Sequence, residues 1–357
     1  MANGRSLSDY KTMPGPEFEH VLEFENKLIA DELSYDKGEL RSLHAELVQK
    51  LTEEQHFVYQ KIMSFVLSGD GQFYFLYGHG GTGKFFLWKT LSAAIRAQGK
   101  IVLNVASSGI ASLLLPNGKT AHSTFCIPLD VNAKSACNFT QASMRAKLLR
   151  ATSLFIWDEA PMMNRFCFEA FDRTMRDLMK KVDKANSKKP FGGKVVALGG
   201  DFRQILPVVR KGSRAEVVKA TVCSSKIWRH CKVLKLTKNM RLSSGMTNKS
   251  RNEIREFADW ILNIGDGLLD ADENGEEEIE IPEELCILHS ENALLSLVDL
   301  VYPNIVRNEA NMKFFDDQAI FAPTLEVVEQ VNDFVLSLLP GESKDYLSCD
   351  TPCKFHF

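Results

Sequence analysis

The chain has 357 residues, enough for two or three domains, and its 45 % hydrophobic and 25 % charged content is ordinary for a globular protein. No apolar run reaches the ~20 residues of a membrane span, and the opening MANGRSLSDYKTMPG lacks the apolar core of a secretory signal. The net charge of −3 argues against a nucleic-acid partner until its distribution is read: residues 266–285 hold ten acids and no base, leaving 43 basic against 36 acidic residues elsewhere, a net of +7.

In chain order, the first fifty residues are polar, with Ile29, Leu33, Leu40, Leu43 and Leu47 at helical spacing, and read as a helical lead-in. TEEQHFVYQKIMSFVL is a helix with Thr52 as its N-cap. The strand FYFLY follows, then the turn GHGGTGK, then a helix from Lys84 towards Gln98. IVLNVA (101–106), SLFIWD (153–158) and KVVALGG (194–200) are short, rich in β-branched or aromatic residues and bounded by turns. Helical stretches such as FEAFDRTMRDLMKKV lie between them. Strands alternating with helices predict an α/β nucleotide-type domain with a mainly parallel sheet, covering residues 51–232.

A fresh segment opens at VLKLTKNMRL (233–242) and carries the helix RNEIREFADWILNIG, the acidic loop 266–285 and a final strand and helix in AIFAPTLEVVEQVNDFVLSLLP. No further strands follow, so residues 233–357 are expected to form an incomplete second domain. Basic residues gather from Arg173 to Lys194, as a basic groove or as a plain charged surface. The eight cysteines form no CxxC pair, which predicts reduced thiols in the cytosol or nucleus. Cys349, Cys353 and His356 are three possible zinc ligands on a short tail, a weak set beside an ordinary tail.

Gly78, Gly80, Gly81, Thr82, Gly83 and Lys84 belong to a GxxxxGK match placed between a buried strand and a helix. Glycines let backbone N–H groups turn towards phosphates, the helix N-terminus adds positive potential, and Lys84 reaches the β- and γ-phosphates. The next position normally holds a hydroxyl that ligates Mg²⁺, but here it is Phe85, and Phe86 excludes a one-residue slip. Weakened Mg-ATP binding and turnover reduced by orders of magnitude are the expectation. Asp158 and Glu159 end the strand LFIWD, where Asp158 is placed to hold Mg²⁺ through water and Glu159 to polarise an attacking water. KVVALGGDFRQILPV ends in a glycine turn with Asp201 and Gln204, facing a γ-phosphate or simply stabilising the turn. Gln55 completes a Thr52-x-x-Gln55 capping box and is equally suited to read an adenine edge.

These segments together resemble the PIF (petite integration frequency) helicases of superfamily one, most closely the abundant plant copies, some related to Helitron transposons. LTEEQ, GHGGTGK, ASSGIAS, GKTAHSTF, FIWDEAPM, GGDFRQILPV, LTKNMRL, FADWILNIGDG and AIFAPTLEVVEQVN occur in the family's order over about residues 20 to 350. The resemblance implies a RecA-like P-loop domain followed by part of a second RecA-like domain. It also implies an ATP- and Mg²⁺-dependent 5′-to-3′ DNA helicase serving repair, recombination and telomere maintenance on single-stranded and forked DNA. A monomer in the nucleus, or in the mitochondrion, and without membrane association, is expected. Gln55 falls in the family's adenine motif, Gly83 and Lys84 in its phosphate loop, Asp158 and Glu159 in its metal and base motif, and Gln204 in its γ-phosphate sensor. Arg241 falls where the family places an arginine that reaches the phosphate, although an isolated surface arginine is the simpler reading of the residue. Ser107, Thr120, His122 and Phe125 fall in segments laid along single-stranded DNA, with Phe125 equally suited to the core. No Ser-Gln-Gly-Gln-type stretch or late arginine motif occurs, so the sequence is expected to stop before the second lobe is complete.

Overall fold

The computed structural model describes residues 26–240, 248–268, 279–287, 292–309, 311–316, 318–341 and 344. It divides into two units, Met1–Leu268 and Leu269–Phe357. The first contains α1 (Lys27–Leu33), α2 (Lys37–Gln49), α3 (Glu53–Ser68), β1 (Phe73–Gly78), α4 (Lys84–Ala97), β2 (Ile101–Ala106), α5 (Gly109–Leu114) and β3 (Lys119–Thr120). It continues through α6 (Ala121–Phe125), α7 (Met144–Ala151), β4 (Thr152–Asp158), α8 (Arg165–Met179), β5 (Val195–Gly200), α9 (Arg214–Ala220), β6 (Cys231–Leu236) and α10 (Asn248–Asp266).

All six strands are parallel, in the order β3-β2-β4-β5-β1-β6. The period-two geometry of a strand divides β1 between two cores. Phe73 and Phe75 join one, with Phe155, Trp157, Phe168 and Phe171. Tyr74 and Leu76 join the other, with Leu87, Trp88, Leu91 and Ile95 of α4. Each such fully buried side chain contributes roughly 1.5–3 kcal/mol relative to exposure, and α4 and α8 cover opposite faces of the sheet. α3 begins with the predicted capping box at Thr52 and stops at Gly69, whose φ of +77° suits a residue without Cβ.

The lead-in is docked rather than free. Asn26 Nδ2 donates to Met144 O at 2.8 Å, and the buried Glu32 lies 3.7 Å from the buried Arg96 of α4. Asn117 also donates to Glu32 Oε1 at 3.2 Å.

Two expectations change. CKVLKL, most of which was assigned to the second domain, is the edge strand β6 of the first sheet, paired with β1 from Phe73↔Cys231 to Gly78↔Leu236. Its two lysines, Lys232 and Lys235, suit an edge strand with an open side, and the first compact unit runs on to Leu268. In the second unit the described helices are α11 (Ala293–Val301), α12 (Ile305–Asn308) and α13 (Leu325–Leu338). No strand occurs among its described residues, and the expected strand before α13 is irregular, since a lone strand has no neighbour to take its backbone hydrogen bonds. No described helix is long and apolar enough to cross a membrane.

Candidate functional site

β1, β4 and β5 end at one edge of the sheet, and each delivers part of the site there. After β1 the chain turns through Gly81 (φ +87°) and Gly83 (φ +79°) into α4. Thr82 Oγ1 donates to His79 O at 2.8 Å, and Lys84 Nζ donates to Gly78 O at 2.5 Å, which closes the loop on itself. Gly83 is the N-cap of α4 and brings no side-chain acceptor, so the first-turn amides carry no cap. A Cβ on Gly80 would meet nothing within 4 Å, which marks open space within the cradle.

β5 lies between β1 and β4, and the buried Asp158 ends β4. Burial holds its carboxyl above the usual range, opposed by a hydrogen bond from Trp88 and the charge of Lys84. The buried indole Nε1 of Trp88 donates to Asp158 Oδ1 at 3.2 Å. Gly199 makes room for this pair, because a Cβ there would lie 2.7 Å from both Asp158 Oδ1 and Trp88 Cζ2. Glu159 has φ +51°, in the left-handed region, and its Oε2 is buried with no hydrogen-bond partner. Burial raises its pKa, Asp158 and Asp201 add to the rise, and Lys84 opposes it. An unpartnered buried carboxylate oxygen on a strained residue is a common feature of a reacting site.

Asp201 follows β5 and is buried; its Oδ1 accepts from Arg203 N at 3.1 Å, so the turn-stabilising role is present. Asp201, Gln204, His79 and Gly80 line one cavity of about 480 Å³, completed by the apolar side of α10 through Phe257, Ile261 and neighbouring residues. Arg203 grips Asp266 at the end of α10, with Nε at 2.6 Å and Nη2 at 3.0 Å from the two carboxylate oxygens. Asp266 was counted with the acidic loop, yet its carboxyl is held below the usual range by that guanidinium.

Gln55 is buried with both ends of its amide in use. Oε1 accepts from Thr52 N at 3.0 Å, and Nε2 donates to Thr82 O at 3.1 Å. The residue therefore clamps the phosphate loop to α3, and a Cβ on Gly83 would strike Nε2 at 2.4 Å.

The candidate DNA residues differ among themselves. Ser107 sits at the end of β2, where its hydroxyl accepts from Trp157 Nε1 at 3.2 Å. Thr120 caps α6, accepting from Ser123 N at 3.3 Å. His122 is partly buried, and burial depresses its imidazole pKa. Phe125 is a correction: it is fully buried, with its ring 4.0 Å from that of Phe171, and offers no face to a base. Packing against Phe155, Trp157 and Phe171 outweighs any exposed role. Arg241 lies outside the described residues, as do Cys349, Cys353 and His356. Sequence reading missed Trp88 and Arg203; Arg203 lies within GGDFRQILPV, but each acts on a residue distant in sequence, which no local pattern reveals.

The open glycine loop, the uncapped α4 terminus and Lys84 fit a nucleotide's phosphates, and the orphan Glu159 oxygen fits a water beside them. They fit a divalent metal less well. Phe85 supplies no oxygen and is 43 % exposed, while one Asp158 oxygen is already engaged by Trp88.

The description PIF1-like helicase matches residues 50–275. The ATP-dependent DNA helicase PIF1 of Danio rerio is 31 % identical over 189 residues, 52 % of this chain and 26 % of its own length. That of Mus musculus is 30 % identical over 197 residues, 54 % of this chain and 27 % of its own. The match thus spans about a quarter of the length of these curated relatives. A crystal structure of a Pif1 helicase from Bacteroides, in complex with ADP-AlF3 and ssDNA, is similar in fold. It has a TM-score of 0.55 and 23 % identity, over 86 % of this chain and 63 % of that one. The family match covers more than half of the chain and includes the phosphate loop, the acidic pair and the β5 turn: the chain belongs to the PIF1-like helicase family.

Proposed function

We propose that this chain is the nucleotide-binding lobe of an ATP-dependent DNA helicase. It moves 5′-to-3′ on single-stranded and forked DNA, in repair, recombination and telomere maintenance, as a monomer in the nucleus or mitochondrion. The observation that carries this is the convergence of Lys84, Asp158 and Glu159 at one sheet edge, where Lys84 acts on both carboxylates. Lys84 and the loop amides bind phosphates, and Glu159 orients a water and accepts its proton. Asp158 would hold Mg²⁺ through water, and Gln204, on the cavity wall beside Gly80, senses the γ-phosphate. Bound ATP supplies the cleavable γ-phosphoryl group. Arg241 acts on the same phosphate, while Ser107, Thr120 and His122 contact a DNA strand.

A second reading, a module that holds nucleotide and single-stranded DNA with little turnover, is favoured by two observations: Phe85 stands where the hydroxyl ligand is needed, and Asp158 is already bonded to Trp88. Phosphate release with Mg²⁺, with and without a single strand, measured beside Lys84→Ala, separates the two. Release stimulated by DNA and abolished in the variant supports the motor. Lys84-dependent nucleotide binding with no release supports the silent module, and binding indifferent to Lys84 removes both.

A further inference from the structure

A second cavity, of about 470 Å³, lies between α8 and the turn that leads into β6. Arg165, Glu169, Arg173 and Arg176 follow one face of α8 at helical spacing, while Phe168, Phe171 and Met175 on its other face are buried in the core. Lys226 and Arg229 form the facing wall. No phosphate-loop residue lines this cavity, and α4 packs on the opposite face of the sheet.

The charge here is unbalanced. Arg165, Arg173, Arg176, Lys226 and Arg229 face two carboxylates: Asp172 is occupied by Arg176 Nε at 2.7 Å and by Phe191 N at 2.5 Å, while Glu169 accepts from Ser225 Oγ at 2.6 Å and keeps its charge. Among the described residues, Arg165, Arg173, Lys226 and Arg229 belong to no ion pair. Three are nevertheless held in place by neutral acceptors. Arg165 donates to Ser224 O at 2.9 Å, Arg173 donates to Ala133 O at 2.7 Å and to Ser135 O, and Arg229 Nε donates to His230 Nε2 at 3.1 Å. Neutral partners fix a guanidinium without cancelling its charge, so these cations are positioned in advance for an anion. The row extends past His230 to Lys189, because His230 also lines a smaller neighbouring cavity with that lysine.

The lining has two aromatic rings, and both are already engaged by arginines: the Arg165 guanidinium lies 4.9 Å from the centre of Phe166, and His230 Nε2 accepts from Arg229 Nε at 3.1 Å. Binding of a single strand normally relies on exposed rings that stack bases, whereas a duplex presents rows of phosphates and needs none. We propose that this cavity binds the phosphodiester backbone of double-stranded nucleic acid, independently of base sequence and of the nucleotide site. It goes beyond the nucleotide-site function and does not depend on it.

The test is fluorescence anisotropy of the full chain with a labelled blunt duplex and with a single strand of equal length, over a series of salt concentrations. Lys226→Glu with Arg229→Glu alters two exposed side chains and should leave the melting temperature unchanged. Duplex affinity is expected to fall about tenfold or more, and the log–log salt slope to drop by about two, since each lost phosphate contact removes ~0.9. Single-strand affinity is expected to stay within about twofold. The milder Lys226→Gln with Arg229→Gln should show the same ordering. Lys50→Glu with Lys61→Glu, which changes net charge equally at the C-cap of α2 and on α3, should leave duplex binding in place. Unchanged duplex affinity, an equal loss on both nucleic acids, or an equal loss in the α2–α3 control overturns the proposal. So does inorganic tripolyphosphate that binds as tightly per phosphate as the duplex, which would make this a free-polyphosphate site.

Discussion

The indole N–H of Trp88 points at the carboxylate of Asp158 from one turn beyond Phe85, 3.2 Å from Oδ1, and both side chains are buried. α4 thus supplies a hydrogen-bond donor to the acid that ends β4 even though the position after Lys84 has none. Replacing Trp88 by Phe keeps most of the packing and leaves that oxygen short of a donor. The expected cost is about 1–3 kcal/mol, plus a small void. Thermal unfolding should show a melting temperature lower by roughly 3–10 °C. A variant as stable as the parent would mean that the bond contributes nothing.

Phe85 is partly exposed, so Phe85→Thr should change stability by less than about 0.5 kcal/mol. Its effect should appear in catalysis, because the new hydroxyl adds an oxygen donor beside Lys84. Steady-state phosphate release with Mg²⁺ and a single strand is expected to rise by about tenfold or more. Equal rates in the two proteins would show that Phe85 does not limit turnover.

Two glycines of the loop should respond to alanine in opposite ways. Gly83→Ala forces a side chain into a left-handed backbone and against Gln55 Nε2, so it should destabilise by roughly 1–3 kcal/mol. Gly80→Ala meets no protein atom and should leave the melting temperature unchanged. Its methyl group enters the cradle, so ADP affinity should fall by about tenfold, measured by titration calorimetry.

Lys194 gives a pH signature. Its Nζ donates to Arg150 O at 2.5 Å and Thr152 O at 2.8 Å, and burial depresses its pKa to about 8. Above about pH 8 the folded state releases this proton, whereas the unfolded chain keeps it up to the ordinary 10.5. Unfolding therefore takes up a proton between those values, and stability rises with pH across that window. Relative to Lys194→Met, the parent should gain on the order of 2 kcal/mol between pH 8 and 10 in urea unfolding. A flat difference between the two curves would contradict the assignment.

The amino-acid sequence by itself determined the features that reside in contiguous residues. The glycine loop between strand and helix, the Thr52 capping box and the buried strands β1, β2, β4 and β5 each carry their signal within a few positions. The acidic pair was legible for the same reason, since a strand that is buried along its length and then ends in Asp158 and Glu159 announces its edge. Only the tertiary structure decided what depends on residues far apart. The side of the sheet taken by β6, the burial of Phe125 against Phe171, the Gln55 clamp on Thr82 and the Arg203 grip on Asp266 are all of this kind. Local pattern fixes which element forms, through backbone geometry and hydrophobic period, but a side chain's partner is set by how the elements pack. For that reason the basic residues from Arg173 to Lys194 read equally as a groove or as a plain charged surface in one dimension, and only folding placed Arg165 and Arg173 across a cavity from Lys226 and Arg229.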